Sequence, residues 1–365
     1  MEKPEEQLAI FSSRPEIIHR YSLKGEKITF DESALKPYRL ISDLELGKRV
    51  DPKYPSVKKG WRKYRRKIFK MNESRIRYLL LTLLDYERKV PMDNTLEVYC
   101  HNGLFSDLLN AKEGYYVVQY KNKLIFASTS TRANQNQLLS YIGVKFEALM
   151  KCQPSPRDCS HCKLLLNGEY GRWPFKSVVE VDAFKKTPRG KVYCEMKLCY
   201  SSNAKEYAIS KLTSNREFLE FLRINVKSFR KKIEKWLFQA YFGRQDILVV
   251  GLRDDDFKLI CNTELKVIEE IIPFVRQTYP SLYEKFINAP QTVSSSLDTI
   301  HRQIKQLQRT ETDVFLLDTS FPLNVERCAR KFETIIIPEF LEQHPLDPLS
   351  SLTESLDKLS VGRFA

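Results

Sequence analysis

The sequence predicts an α+β fold, and three observations carry the prediction. Apolar residues recur with period two in some segments and near 3.6 in others, and the two kinds do not alternate as a strict βα repeat. Neither GxGxxG nor GxxxxGK(S/T) occurs, which disfavours a doubly wound nucleotide-binding sheet. The chain has 365 residues, 42% of them hydrophobic, enough to bury a large core. Its 12 glycines and 17 prolines are scattered, with no repeat or low-complexity tract. Residues 1–365 therefore read as one domain, with a tail from about residue 345 set apart as flexible.

Residues 1–60 read as irregular, with short extended stretches and turn signals near Pro37 and Pro55. Ile76, Leu79, Leu80, Leu83 and Leu84 give a helix over Arg75–Asp85, and Leu96–Cys100 reads as a strand. Tyr115–Tyr120 and Lys123–Ala127 form a hairpin about Lys121-Asn122. A helix over Asn134–Lys151 carries Leu138, Leu139, Ile142, Phe146 and Leu149 on its apolar face. A loop rich in Cys and Pro comes next. Two strands, Ser177–Phe184 and Val192–Tyr200, then flank the turn-prone Lys185–Gly190. Ser214 and Glu217 form a capping-box signal that opens helix to about Phe242, and Asp246–Gly251 reads as a buried strand. Helices are expected around 279–289, 295–308 and Asn324–Glu333.

Sixty basic against 46 acidic residues leave a net charge of +14, which favours an anionic partner. Lys58–Lys70 holds eight basic and no acidic residues, interleaved with Trp61, Tyr64 and Phe69. Cations beside stacking faces suit single-stranded nucleic acid, while a solvated loop or a nuclear-import signal would share the composition. No apolar run approaches the roughly 18 residues of a membrane span, and the acidic start lacks a secretory h-region. Eight cysteines without framework spacing fit a reducing compartment. Cys159-Ser160-His161-Cys162, with Cys152, has no second close pair to complete a zinc site, so free thiols in a loop are expected.

Glu180-Val181-Asp182 puts two acids on one face of a strand while Val179, Val181 and Ala183 face the other way. Glu195-Met196-Lys197 repeats the arrangement on the next strand. Crowded carboxylates raise one another's pKa unless a cation neutralises them, and hard oxygen donors suit Mg²⁺ or Mn²⁺. A lysine two residues past a ligating glutamate can meet phosphate oxygens. An exposed hairpin face with ordinary Glu/Lys pairs would show the same pattern. Glu147, on a helix whose other face is apolar, could add a further carboxylate, so that four would balance two divalent ions. Lys235 and Gln239, at i and i+4, share a face suited to phosphates.

At these residues the sequence resembles the DXO/Rai family of RNA 5′-end decapping exoribonucleases, relatives of the PD-(D/E)xK nucleases. Gly143-Val-Lys-Phe-Glu147 resembles that family's GΦxΦE motif, Glu180-Val-Asp182 its ExD, Glu195-Met-Lys197 its EΦK, and Gln239 its downstream glutamine, all in family order. Softer similarities include Tyr21-Ser22, Ser42-Asp43-Leu44 with Gly47, and Val249–Asp254. The resemblance implies a mixed β-sheet core with flanking helices. It further implies two Mg²⁺ or Mn²⁺ ions on Glu147, Glu180, Asp182, Glu195 and the Met196 carbonyl. Glu180, Asp182, Glu195 and Lys197 would be catalytic, with Lys197 and Gln239 on the scissile phosphate.

The implied activity is cap removal by phosphodiester hydrolysis and 5′-to-3′ degradation of RNA. Capped or 5′-monophosphate RNA would be the partner, with no membrane involved and no protein partner specified. His101-Asn102-Gly103 stands where the family has Arg-Gly; asparagine lacks the bidentate fork of arginine, so 5′-triphosphate handling is not expected. This departure resembles a fungal cytosolic branch, hence cytoplasmic residence, with the basic run leaving the nucleus open. Two other readings remain: an inactive RNA-binding or nuclease-stimulating protein, and a single-strand DNA nuclease.

Overall fold

The computed structural model describes residues 14–24, 27–40, 56–60, 75–90, 95–111, 114–129, 137–152, 160–204, 206 and 214–345. In chain order the elements are β1 Glu16–Lys24, β2 Lys27–Thr29, α1 Arg75–Glu87, β3 Glu97–His101, α2 Gly103–Asn110, β4 Gly114–Tyr120, β5 Lys123–Ser128 and α3 Gln137–Met150. Then follow β6 Ser160–Tyr170, β7 Trp173–Val181, β8 Ala183–Thr187, β9 Gly190–Tyr200, α4 Asn215–Asn225, α5 Phe229–Phe242, β10 Ile247–Arg253 and β11 Leu259–Lys266. A π-helical turn at Val267–Ile271 leads to α6 Ile272–Thr278, α7 Pro280–Ile287 and α8 Ala289–Leu307. β12 Val314–Asp318, β13 Asn324–Cys328 and α9 Pro338–Gln343 complete the α+β fold.

The chain divides into two compact units, each drawn from three separate stretches. The first comprises Met1–Glu73, Arg132–Leu164 and Val179–Asn288. Its sheet runs β11-β10-β9-β8, with β9 and β10 parallel and the outer pairs antiparallel. The apolar face of α3 covers this sheet: Ile142, Phe146 and Met150 pack with Cys194, Met196, Ile247 and Val249 in one buried cluster. Gly251 is required there, since a Cβ would stand 2.5 Å from the Phe146 ring. Arg14 secures the end of α5, donating to the carbonyls of Tyr241 (3.3 Å) and Ala240 (3.0 Å) and pairing with Asp246.

The second unit comprises Ser74–Thr131, Leu165–Val178 and Ala289–Ala365. Its sheet runs β13-β12-β4-β5-β3-β7, antiparallel from β13 to β5 and parallel from β5 to β7. Lys121 and Asn122 both take positive φ, 45° and 59°, as the two-residue turn between β4 and β5 demands. The Ser214–Glu217 box, in the first unit, forms as its spacing predicts.

Several expectations are corrected. Asn324–Glu333 is not a helix: its first half is β13, which pairs with β12 and buries Val325 while exposing Asn324 and Glu326. Distant pairing overrides the local propensity. The predicted helix from Ser214 to Phe242 is two helices, interrupted where Val226 is extended and Ser228 takes φ 58°. Residues 1–60 contain β1 and β2, and the expected loop before Ser177 contains β6 and the start of β7. α2 and β11 carried no expectation. The turn between β8 and β9 shrinks to Pro188-Arg189, because Lys185 to Thr187 join the ladder.

Trp61, Tyr64 and Phe69 of the basic run, Ser42-Asp43-Leu44, Gly47, Cys159 and the tail beyond Pro345 lie outside the described residues. Cys100, Cys152, Cys162, Cys194, Cys199, Cys261 and Cys328 are unbridged. Among the described residues no helix is long and apolar enough to cross a membrane.

Candidate active site

All the site residues singled out in the sequence belong to the first unit except Asn102, which lies in the second. There the Asn102 amide donates to the Val178 carbonyl at 3.0 Å, and its buried Oδ1 has no hydrogen-bond partner. It caps the start of α2 without a side-chain bond.

In the first unit, strand alternation sets the pattern. Cys194 and Met196 point into the cluster under α3, so Glu195 and Lys197 emerge on the opposite face of β9. The Lys197 ammonium pairs with Glu195. Asp182 stands one residue outside the β8–β9 ladder, which begins at Ala183 opposite Cys194. Where the chain leaves that ladder, Asp182 Oδ2 accepts the Met196 amide at 2.7 Å in place of a strand partner. The Met196 carbonyl faces the same edge of β9, because a strand residue directs its N–H and C=O to one side.

Glu180 is the last polar residue of β7, whose run ends at Val181. The same-face argument for Glu180 and Asp182 therefore holds in alternation of burial but not in a shared strand: the chain passes from one sheet to the next between them. Glu180 is fixed at both ends. Gln245, fully buried, donates to its backbone carbonyl at 3.0 Å, while His161 Nδ1 lies 2.5 Å from Oε1 and Lys163 Nζ 3.7 Å from Oε2. His161, weighed in the sequence only within a Cys/His zinc spacing and expected in a loop, lies with Lys163 on strand β6; Lys163 and Gln245 carried no functional expectation. The alternation of polar 161 and 163 with Cys162 was the available signal, hidden by the neighbouring Cys and Pro. Glu147 sits on α3 just after Phe146, with Lys151 Nζ 3.9 Å from Oε2 and 3.3 Å from the Asp182 carbonyl.

These groups act on one another. Burial raises the Asp182 carboxyl well above its ordinary value, and Glu195, Glu147 and Glu180 add to the rise against the opposing charge of Lys197. Burial likewise raises Glu147, with Lys151 opposing and Glu180 and Glu195 reinforcing. Burial acts to lower Lys197, yet Glu195, Asp182 and Glu147 outweigh it and hold the ammonium charged. The four carboxylates thus form one electrostatic cluster, three of them acting on Lys197 and Glu180 acting on Glu147 and Asp182.

As the side chains stand, no three His, Cys, Asp or Glu among the described residues are placed to hold a metal ion. Glu180 is turned to His161 and Lys163, Asp182 to the Met196 amide and Glu195 to Lys197. The donor chemistry nevertheless suits a hard divalent cation: carboxylate oxygens, two of them with pKa raised by burial and by neighbouring carboxylates, and a strand carbonyl. Gln239, on α5, has its buried Oε1 without a hydrogen-bond partner.

No family model matches the chain, and no curated protein matches it by sequence. Solved structures share its fold. Candida albicans Rai1 in complex with pU5-Mn²⁺ superposes with TM-score 0.64 at 16% identity, over 90% of this chain and 94% of that one. S. pombe Rai1 gives TM-score 0.59 at 18% identity, covering 87% and 94%. K. lactis Dxo1 in complex with manganese gives 0.56 at 13% identity, covering 86% and 90%. The chain therefore has the fold these proteins share.

Proposed function

We propose that the protein is a divalent-metal-dependent RNA 5′-end processing enzyme, which removes 5′ caps by phosphodiester hydrolysis and degrades RNA 5′ to 3′. One observation carries the reading: Glu147, Asp182 and Glu195 act on Lys197, with Glu180 acting on Glu147 and Asp182, on a fold shared with a Rai1 that binds pU5 and Mn²⁺.

The four carboxylates and the Met196 carbonyl would hold two Mg²⁺ or Mn²⁺ ions. Bound there, the ions supply a water of lowered pKa and offset charge on the phosphate oxygens. Glu180 would exchange His161 and Lys163 for that role, and Asp182 keeps the Met196 amide oriented while offering its second oxygen. Lys197, kept protonated by its acidic neighbours, donates to a nonbridging oxygen of the scissile phosphate and stabilises charge as it develops. The Gln239 amide contacts the same phosphate. Asn102 offers no bidentate fork, so little pyrophosphate release from 5′-triphosphate ends is expected.

The test is incubation of the protein with capped, triphosphorylated and monophosphorylated RNA in Mn²⁺, beside the Glu180→Ala/Asp182→Ala variant. The expected outcome is turnover of monophosphate ends and cap removal by the parent alone. Equal turnover by the variant overturns the site assignment. A cytoplasmic place of action belongs to the same proposal, and a fluorescent fusion excluded from the cytoplasm would contradict it.

A second reading, a silent RNA-binding protein, draws on the pairing of Glu180 with His161 and Lys163, which gives that carboxylate countercharge without a metal. Absence of Mn²⁺ uptake would favour it.

A further inference from the structure

We infer that the exposed lysines of α5 form a track for the RNA strand on the 3′ side of the scissile bond, with Lys235 and Lys232 meeting the next two phosphates in turn. The inference rests on the nuclease reading of the site.

α5 carries Arg230, Lys231, Lys232 and Lys235 against a single acid, Glu234, and that acid is turned to Lys285 at 2.7 Å. Gln239, Lys235 and Lys232 fall at i, i−4 and i−7, on one face of the helix. At 1.5 Å per residue they stand about 6 and 10.5 Å apart from Gln239 along the axis. The successive steps are about 6 and 4.5 Å, short enough for flexible lysine side chains to reach neighbouring phosphates of one strand.

The face is the correct one. Lys232 and Lys197 both act on the buried Cys199 thiol, which shares a face of β9 with Glu195 and Lys197 by strand alternation. Lys232 therefore lies near the stretch of β9 that carries Lys197. Exposure increases along the row, from half-buried Gln239 to exposed Lys235 and Lys232, so the row leads outward from the site. A long substrate would leave by that route, while its 5′ end remains inside. An ordinary solvated basic face would share the charge. It would not need the register with Gln239 or the approach to Cys199.

The experiment measures RNA binding by fluorescence anisotropy over a range of salt. The full chain carrying Glu180→Ala/Asp182→Ala is used so that substrate is not consumed. Lys232→Gln/Lys235→Gln is compared with its absence in that background, on a 5′-monophosphate RNA decamer and on a dinucleotide. Loss of two single-strand phosphate contacts makes the slope of log affinity against log salt shallower by about 1.4. That change is expected for the decamer only, with the melting temperature unchanged. An unchanged slope, an equal change on the dinucleotide, or no decamer binding by the parent background would each overturn the track. Tighter binding of the matching DNA decamer would overturn RNA as its occupant. Hydrolysis assays on the unsubstituted chain report separately on the nuclease reading, so the two can fail independently.

Discussion

Asp182 combines two demands, replacing a missing strand partner for Met196 and standing among three other carboxylates. Burial and repulsion raise its folded-state pKa above the ordinary value of about 3.9. Such a group contributes stability at pH values below its unfolded pKa, and that contribution is lost as pH rises through the raised folded value. In EDTA, Asp182→Asn keeps an acceptor for Met196 and removes the charge. Its melting temperature should therefore gain on the parent as pH rises above the unfolded value of about 3.9; a constant difference would contradict the crowding. Lys197 gives the complementary case. Lys197→Ala should lower kcat by about 10²-fold or more, the scale for removing one charge-stabilising donor. Mn²⁺ affinity should rise, because a competing cation has gone. A fall in that affinity would show that Lys197 organises the carboxylates instead. Glu195 and Lys197 were legible from alternation alone. His161, Lys163 and Gln245 were not, because they meet Glu180 through folding and leave no local pattern.

At the scale of elements, the site depends on how tightly α3 lies on β10. Gly251→Ala would force Phe146 off the sheet and carry Glu147 with it. The expected cost is about 1–3 kcal/mol in denaturant unfolding, together with weaker Mn²⁺ uptake; full stability and unchanged uptake would show that α3 tolerates the shift. Removing the Ser214 cap should cost about 1 kcal/mol without touching the site. Unfolding and activity measured together would separate these effects. The Ser214–Glu217 box and the Lys121-Asn122 turn were readable because each is written within a few residues. The end of β7 at Val181 was not, since only the partners of two different sheets decide where that strand stops. β13 was misread for the same reason: its pairing with β12 is invisible to local propensity. A short helix such as α2 has too few turns to announce a period.

At the scale of the molecule, the net charge of +14 draws anionic chains to the surface, and the carboxylate cluster opposes that attraction at one place. A bound divalent cation would remove the opposition. Isothermal titration of the metal-free protein with Mn²⁺ tests the central claim most directly. Uptake of two ions per chain is expected, reduced or abolished in Glu180→Ala/Asp182→Ala. No uptake by the parent, or equal uptake by the variant, would contradict it.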